Sequence, residues 1–125
     1  MSKAGFSLHH VSVLVRDTTA SLHFYRDIVG MEPDPARPKL RYSGAWLRAG
    51  AGQIHLIELP NPDPVTGRPE HGGNDRHVAL HIATLDPLQE RLQAAGIAYS
   101  LSHSGRRALF CRDPDGNALE FIEAT

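Results

Sequence analysis

The sequence predicts an α+β chain made of two βαβββ modules, and three observations carry that prediction. The chain repeats itself: residues 9–15, His-His-Val-Ser-Val-Leu-Val, read against residues 76–82, Arg-His-Val-Ala-Leu-His-Ile, with His10 falling on His77. Each of these alternating segments runs into a stretch of helical spacing that stops at a glycine, Gly30 in one half and Gly96 in the other. Each half then closes on a matching strand, residues 54–58 (Ile-His-Leu-Ile-Glu) against residues 119–123 (Leu-Glu-Phe-Ile-Glu). The overlay, at offsets of 65 to 67 positions, also sets His55 on Glu120.

Taken in order, residues 6–15 alternate at period two, as a half-buried strand does. Asp17 to Thr19 offers N-cap chemistry, and Leu22, Tyr25, Ile28 and Val29 follow at helical spacing up to Gly30. Residues 33–38 are rich in proline and predict a loop. Strands are expected at 40–42, 45–48 and 53–59, the last two joined by the turn Ala49-Gly50-Ala51-Gly52. Module 1 thus spans about 5–59. Residues 60–75 are rich in proline and glycine and read as a mobile linker, long enough to carry a crossover. Module 2, about 76–125, repeats the order: strand 77–83, helix 85–95, then strands 98–102, 108–111 and 118–123. The last two flank Asp113-Pro114-Asp115-Gly116-Asn117, a tight turn whose proline presets φ and whose glycine takes a positive φ.

With 125 residues, 41% of them hydrophobic, one globular domain can bury a core. A formal charge of −1 and scattered basic residues provide no electrostatic footprint for nucleic acid or an anionic membrane. No segment approaches the roughly 18 apolar residues of a membrane span, and residues 1–5 lack the apolar run of a signal peptide. A single cysteine, Cys111, excludes an intramolecular disulfide and fits a reducing compartment. The expectation is a soluble, cytoplasmic protein.

Side-chain parity then points to a site. Leu119 and Phe121 share one strand face and would pack on the helices, which sends Glu120 to the opposite, concave face. By the same rule Ile54 and Leu56 turn His55 into the concavity. Val11, Val13 and Val15 do so for His10, and Val78, Leu80 and Ile82 for His77. A carboxylate between large apolar neighbours in a core-forming strand calls for a partner or a metal. Folding the duplicated unit face to face about a pseudo-two-fold axis would unite His10, His55, His77 and Glu120. Three imidazoles and a carboxylate suit one divalent ion of Fe, Mn, Ni, Co or Zn, with positions left open for substrate. His81, on the same face as His77, is the candidate acid/base group. His9, His23 and His71 are expected at the surface.

The segments from His10 to Asp17, Ser21 to Met31, Arg76 to Leu80 and Asp113 to Phe121 resemble the vicinal oxygen chelate superfamily, the glyoxalase, bleomycin-resistance and extradiol dioxygenase family. They cover almost the whole chain. The resemblance implies paired βαβββ modules in a cupped mixed sheet around a divalent metal, held by His10, His77, Glu120 and either His55 or Glu58. It also implies a small-molecule substrate chelated through vicinal oxygens, and a homodimer. Two activities follow: a glyoxalase-like lyase, in which Glu120 detaches to act as base, or an extradiol dioxygenase, in which His81 or His103 moves the proton. The alternative is drug sequestration of the bleomycin-resistance type, which dispenses with metal. Trp46, Arg48 and Arg107 are candidate pocket residues.

Overall fold

The structure is a computed structural model and describes residues 5–124. Residues 1–4, most of the N-terminal stretch read above for a signal peptide, and Thr125 lie outside the described residues. The first module opens with β1 (His10–Leu14) and α1 (Thr18–Leu22). Asp17, extended at φ −150°, caps α1 by accepting from the Thr19 and Ala20 amides. The helix then widens into a π-helical segment, His23–Val29, whose end is set by Gly30 at φ +94°. Both the Gly30 and Met31 amides return to the Tyr25 carbonyl.

A hairpin follows, β2 (Gly44–Ala49) and β3 (Gly52–Ile57), turning at Gly50 as expected. The strand expected at 40–42 does not form. Its place beside β2 is taken by residues 32–34, where Pro33 bridges Leu47, the Asp34 amide donates to the Trp46 carbonyl and Arg48 donates to the Glu32 carbonyl. Proline at 33, 35 and 38 supplies no N–H, so the pairing stops after one bridge. The second module follows the expected order closely: β4 (His77–Ile82), α2 (Asp86–Ala94), β5 (Tyr99–Leu101), β6 (Ala108–Arg112) and β7 (Ala118–Glu123).

The strands form two sheets, ordered β1-β3-β2 and β4-β7-β6-β5, with β1 parallel to β3 and β4 parallel to β7. Each module therefore starts on an edge strand, and among the described residues β1 and β4 each pair on one side only. Residues of both sheets and both helical segments share one core, including Val15, Tyr25, Leu47, Ile54, Leu88, Leu92, Leu109 and Leu119. A buried polar contact joins the modules inside it: Tyr25 donates to Asp113 Oδ2 at 2.7 Å. Asn117 adds a bond from Nδ2 to the Leu14 carbonyl, which ties the Asp113–Asn117 turn to the end of β1.

The linker is tied down rather than loose. Asp75 receives both Nε and Nη2 of Arg68, at 2.7 and 3.0 Å, and Nη1 of Arg112 at 2.9 Å. A short 3-10 turn, Gly72–Asn74, lies against Phe110 and Ala118. The far face of the second sheet is thereby partly roofed, while that of the first stays open.

Candidate functional site

Register places the site residues at equivalent points of the two sheets. In the first, Ser12, His55 and Trp46 lie in one row across β1, β3 and β2. In the second, Ala79, Glu120, Phe110 and Ser100 lie in one row across β4, β7, β6 and β5. The side chains in both rows face away from the helices, because their neighbours along each strand, such as Ile54, Leu56, Leu119 and Phe121, are the buried core residues.

The first row is an aromatic stack. His10 lies on one face of the His55 ring, at 3.9 Å between centroids and 11° between planes, and Trp46 on the other, at 4.5 Å and 7°. Nε2 of His55 meets Oε1 of Gln53 at 2.8 Å, and the Gln53 amide nitrogen donates to Asp34. An amide oxygen accepts, so Nε2 carries the proton and the lone pair of the neutral ring is on Nδ1. Burial in the stack, followed by the proximity of His10 and His9, lowers the His55 pKa and favours that neutral form.

The second row is an ion-paired carboxylate. Glu120 is 2% exposed. Its Oε1 faces His77 Nε2 at 3.2 Å, and its Oε2 accepts from Arg106 Nη2 at 3.1 Å. His77 Nδ1 donates to the Asp75 carbonyl at 2.9 Å, which fixes the ring and aims Nε2 at Glu120. Two acceptors in that position need a proton or a cation between them. Their spacing is also close to the roughly 3 Å that separates two donors each about 2.1 Å from one ion. The donor set of this module therefore fits a divalent metal, as do two further imidazoles from the first module.

The four expected ligands come together in two pairs, His10 with His55 and His77 with Glu120; among the described residues no three metal-binding side chains form one cluster. Glu58 is occupied elsewhere, accepting from the Thr18 amide at 2.8 Å and its hydroxyl at 3.0 Å. His81 stands on the exposed face of β4, opposite Ile122 and two same-side positions from His77. Of the candidate pocket residues, Trp46 reaches the site, Arg48 pairs with Glu32 and Asp34, and Arg107 turns away to Glu123 and Asp86.

His71, expected at the surface of a mobile linker, is instead held at the second row. Its Nδ1 bonds the Ser100 hydroxyl at 2.6 Å, its ring stacks on His103 at 4.5 Å, and its edge meets Phe110. Gly73 makes this possible, since a Cβ there would fall 2.7 Å from His71 Nε2. Sequence reasoning missed Arg106, Gln53 and Phe110. Phe110 holds the place beside Glu120 that Trp46 holds beside His55, a correspondence set by strand register.

Clefts run along the open edges of β1 and β4. One, of about 340 Å³, is lined by Ser12, His77, Arg76 and Asn117. Another, of about 540 Å³, is lined by Val11, Met31, Leu80 and Phe121.

Two repeated modules, the first with three strands and a bridge at Pro33 and the second with four, that present matched rows on the faces away from their helices define a vicinal oxygen chelate fold. The model of the Glyoxalase/Bleomycin resistance protein/Dioxygenase superfamily matches residues 7–121, and the chain belongs to that superfamily. It is 32% identical over 119 residues to Glyoxylase I 4 of Arabidopsis thaliana, covering 91% of this chain and 68% of that protein. It is 30% identical over 122 residues to the lactoylglutathione lyase of Haemophilus influenzae, covering 91% of this chain and 90% of the relative. A crystal structure of a Bacillus anthracis protein described as of the glyoxalase family superposes with a TM-score of 0.79 at 25% identity, covering 100% of both chains.

Proposed function

We propose that this chain is a divalent-metal-dependent enzyme that acts on a small substrate chelated through vicinal oxygens, with His10, His55, His77 and Glu120 as the metal ligands. The observation that carries the reading is the His77–Glu120 pair: a buried carboxylate and an imidazole whose other nitrogen is held by a backbone carbonyl, set 3.2 Å apart. A divalent ion held there supplies Lewis-acid polarisation of two adjacent substrate oxygens. Glu120 is the residue to take a proton from the carbon beside them, since it is the buried carboxylate at this point of the sheet. The lactoylglutathione lyase relative supports a lyase over an extradiol dioxygenase.

The two ligand pairs lie on separate sheets, each beside an edge strand without a second neighbour. That arrangement supports a site completed by a second copy of the chain, with one protomer's His10 and His55 meeting its partner's His77 and Glu120.

Elemental analysis tests the metal: about one divalent ion per chain in the wild type, lost in His77→Ala and in Glu120→Ala. No metal after reconstitution with Fe(II), Ni(II) and Zn(II) would overturn the enzyme reading in favour of ligand sequestration. Mixing His10→Ala/His55→Ala with His77→Ala/Glu120→Ala tests the dimer. Sites built across two chains regain about a quarter of wild-type activity on random mixing, because each mixed dimer has one intact site. Sites built within one chain regain none.

A further inference from the structure

We propose that Arg106 is the counter-ion that occupies Glu120 until a metal displaces it, so that metal uptake frees a guanidinium at the mouth of the site to bind a carboxylate of the substrate. This inference rests on the metal reading above. Glu120 lies between Leu119 and Phe121 and opposite Phe110, and its side chain is 3% exposed. A carboxylate so placed needs positive charge against it. The permanent charge comes from Arg106 on one oxygen, while the His77 ring stands at the other.

These two partners differ in how they are held. His77 is fixed by the Asp75 carbonyl, and Asp75 in turn by Arg68 and Arg112. Arg106 is 58% exposed, and Glu120 is the acceptor it meets among the described contacts. The next residue, Arg107, is anchored in another direction: its side chain reaches Asp86 and Glu123, and its carbonyl accepts from the Glu123 amide. The Arg106 side chain can therefore leave Glu120 without disturbing β6 or β7.

A metal bound by His77 and Glu120 brings two positive charges to a carboxylate that Arg106 now neutralises with one. Arg106 would then have no reason to stay, and its planar fork would be freed beside Glu120. The group it holds in the metal-free protein is a carboxylate, and a carboxylate on the substrate is the chemistry that best replaces it.

The test is a comparison of wild type, Arg106→Gln and Arg106→Lys. Calorimetric titration with Ni(II) should show about tenfold tighter binding in Arg106→Gln, because the competing cation is gone. The melting temperature of metal-free Arg106→Gln should fall below that of metal-free wild type, and the gap should close when both are loaded. A gap that survives loading would mean that Arg106 is a structural partner only. Equal or weaker Ni(II) binding by Arg106→Gln would overturn the proposal outright. Wild type that binds no Ni(II), Zn(II) or Fe(II) would overturn the metal reading along with it.

Catechol and its 4-carboxylate, bound to the Ni(II)-loaded protein, test the second half. Wild type should prefer the carboxylate about tenfold and Arg106→Gln should not, with catechol itself bound equally by both. Arg106→Lys should keep part of the preference, since it retains the charge and loses the fork. No preference in loaded wild type would overturn the substrate half alone.

Discussion

The two modules place their site residues at the same register and solve the same problem by different physics. Module 1 puts His55 at the middle of its row and holds it by stacking, between His10 and Trp46, on a face left open to solvent. Module 2 puts Glu120 at the equivalent position and holds it by charge, between His77 and Arg106, under a roof made by the linker. A neutral imidazole tolerates a half-open aromatic stack. A carboxylate among core residues does not tolerate burial without opposite charge, and this one therefore comes with a built environment. In the proposed site the second module is the half built around charge, whereas His55 is held by its stack and by Gln53 at Nε2, with its lone pair on Nδ1.

Metal binding breaks that comparison most directly. Glu120→Ala should weaken affinity for Ni(II) or Zn(II) by more than about 100-fold, since outer-shell partners alone are worth about 10- to 100-fold. His55→Ala should cost less, about tenfold, because a neutral imidazole offers a divalent ion no charge where Glu120 offers a full one. Equal losses by calorimetry would show that the halves contribute alike. The module interface comes next. Tyr25→Phe removes a buried donor from Asp113, and urea unfolding should show a loss of about 1–3 kcal/mol.

A smaller, acid-dependent effect belongs to the linker. Arg68 first, then Arg112, hold the Asp75 carboxyl far below the usual carboxylate range. A carboxyl depressed in the folded state stabilises fully above its unfolded value near about 3.9 and loses that contribution as pH falls through the folded one. The stability difference between wild type and Asp75→Asn should thus be constant from about pH 7 to pH 5 and narrow below about pH 4. A difference that stays the same into strong acid would show that the ion pairs contribute nothing. The smallest effect is expected at Gly73→Ala, about 1 kcal/mol by melting temperature, from the clash with His71 and Phe110.

Much of this was legible from periodicity. The parity of β1, β3, β4 and β7 follows from alternation alone, because one face of each strand must be apolar to meet the helices. The helix stops at Gly30 and Gly96 were equally plain, as was the Asp113–Asn117 turn, since positive φ leaves glycine almost alone as a choice. The strand expected at 40–42 failed for a reason that local sequence does not contain. Its apolar residues Leu40 and Tyr42 alternate well enough, but the edge of β2 is reached first by residues 32–34, which leave the helix at Gly30.

What the sequence determined by itself was the duplication, the fold class and the face on which His10, His55, His77 and Glu120 stand, because these depend on spacings of two and of about 3.6 residues along one segment. Tertiary structure decided the partners. His71 reached Phe110, Arg106 rather than Arg107 reached Glu120, and Glu58 went to the α1 cap. It also decided that the four expected ligands meet as two pairs. Each of these contacts joins residues brought close by chain crossings and long side chains, and no local pattern encodes which of two neighbouring arginines turns inward.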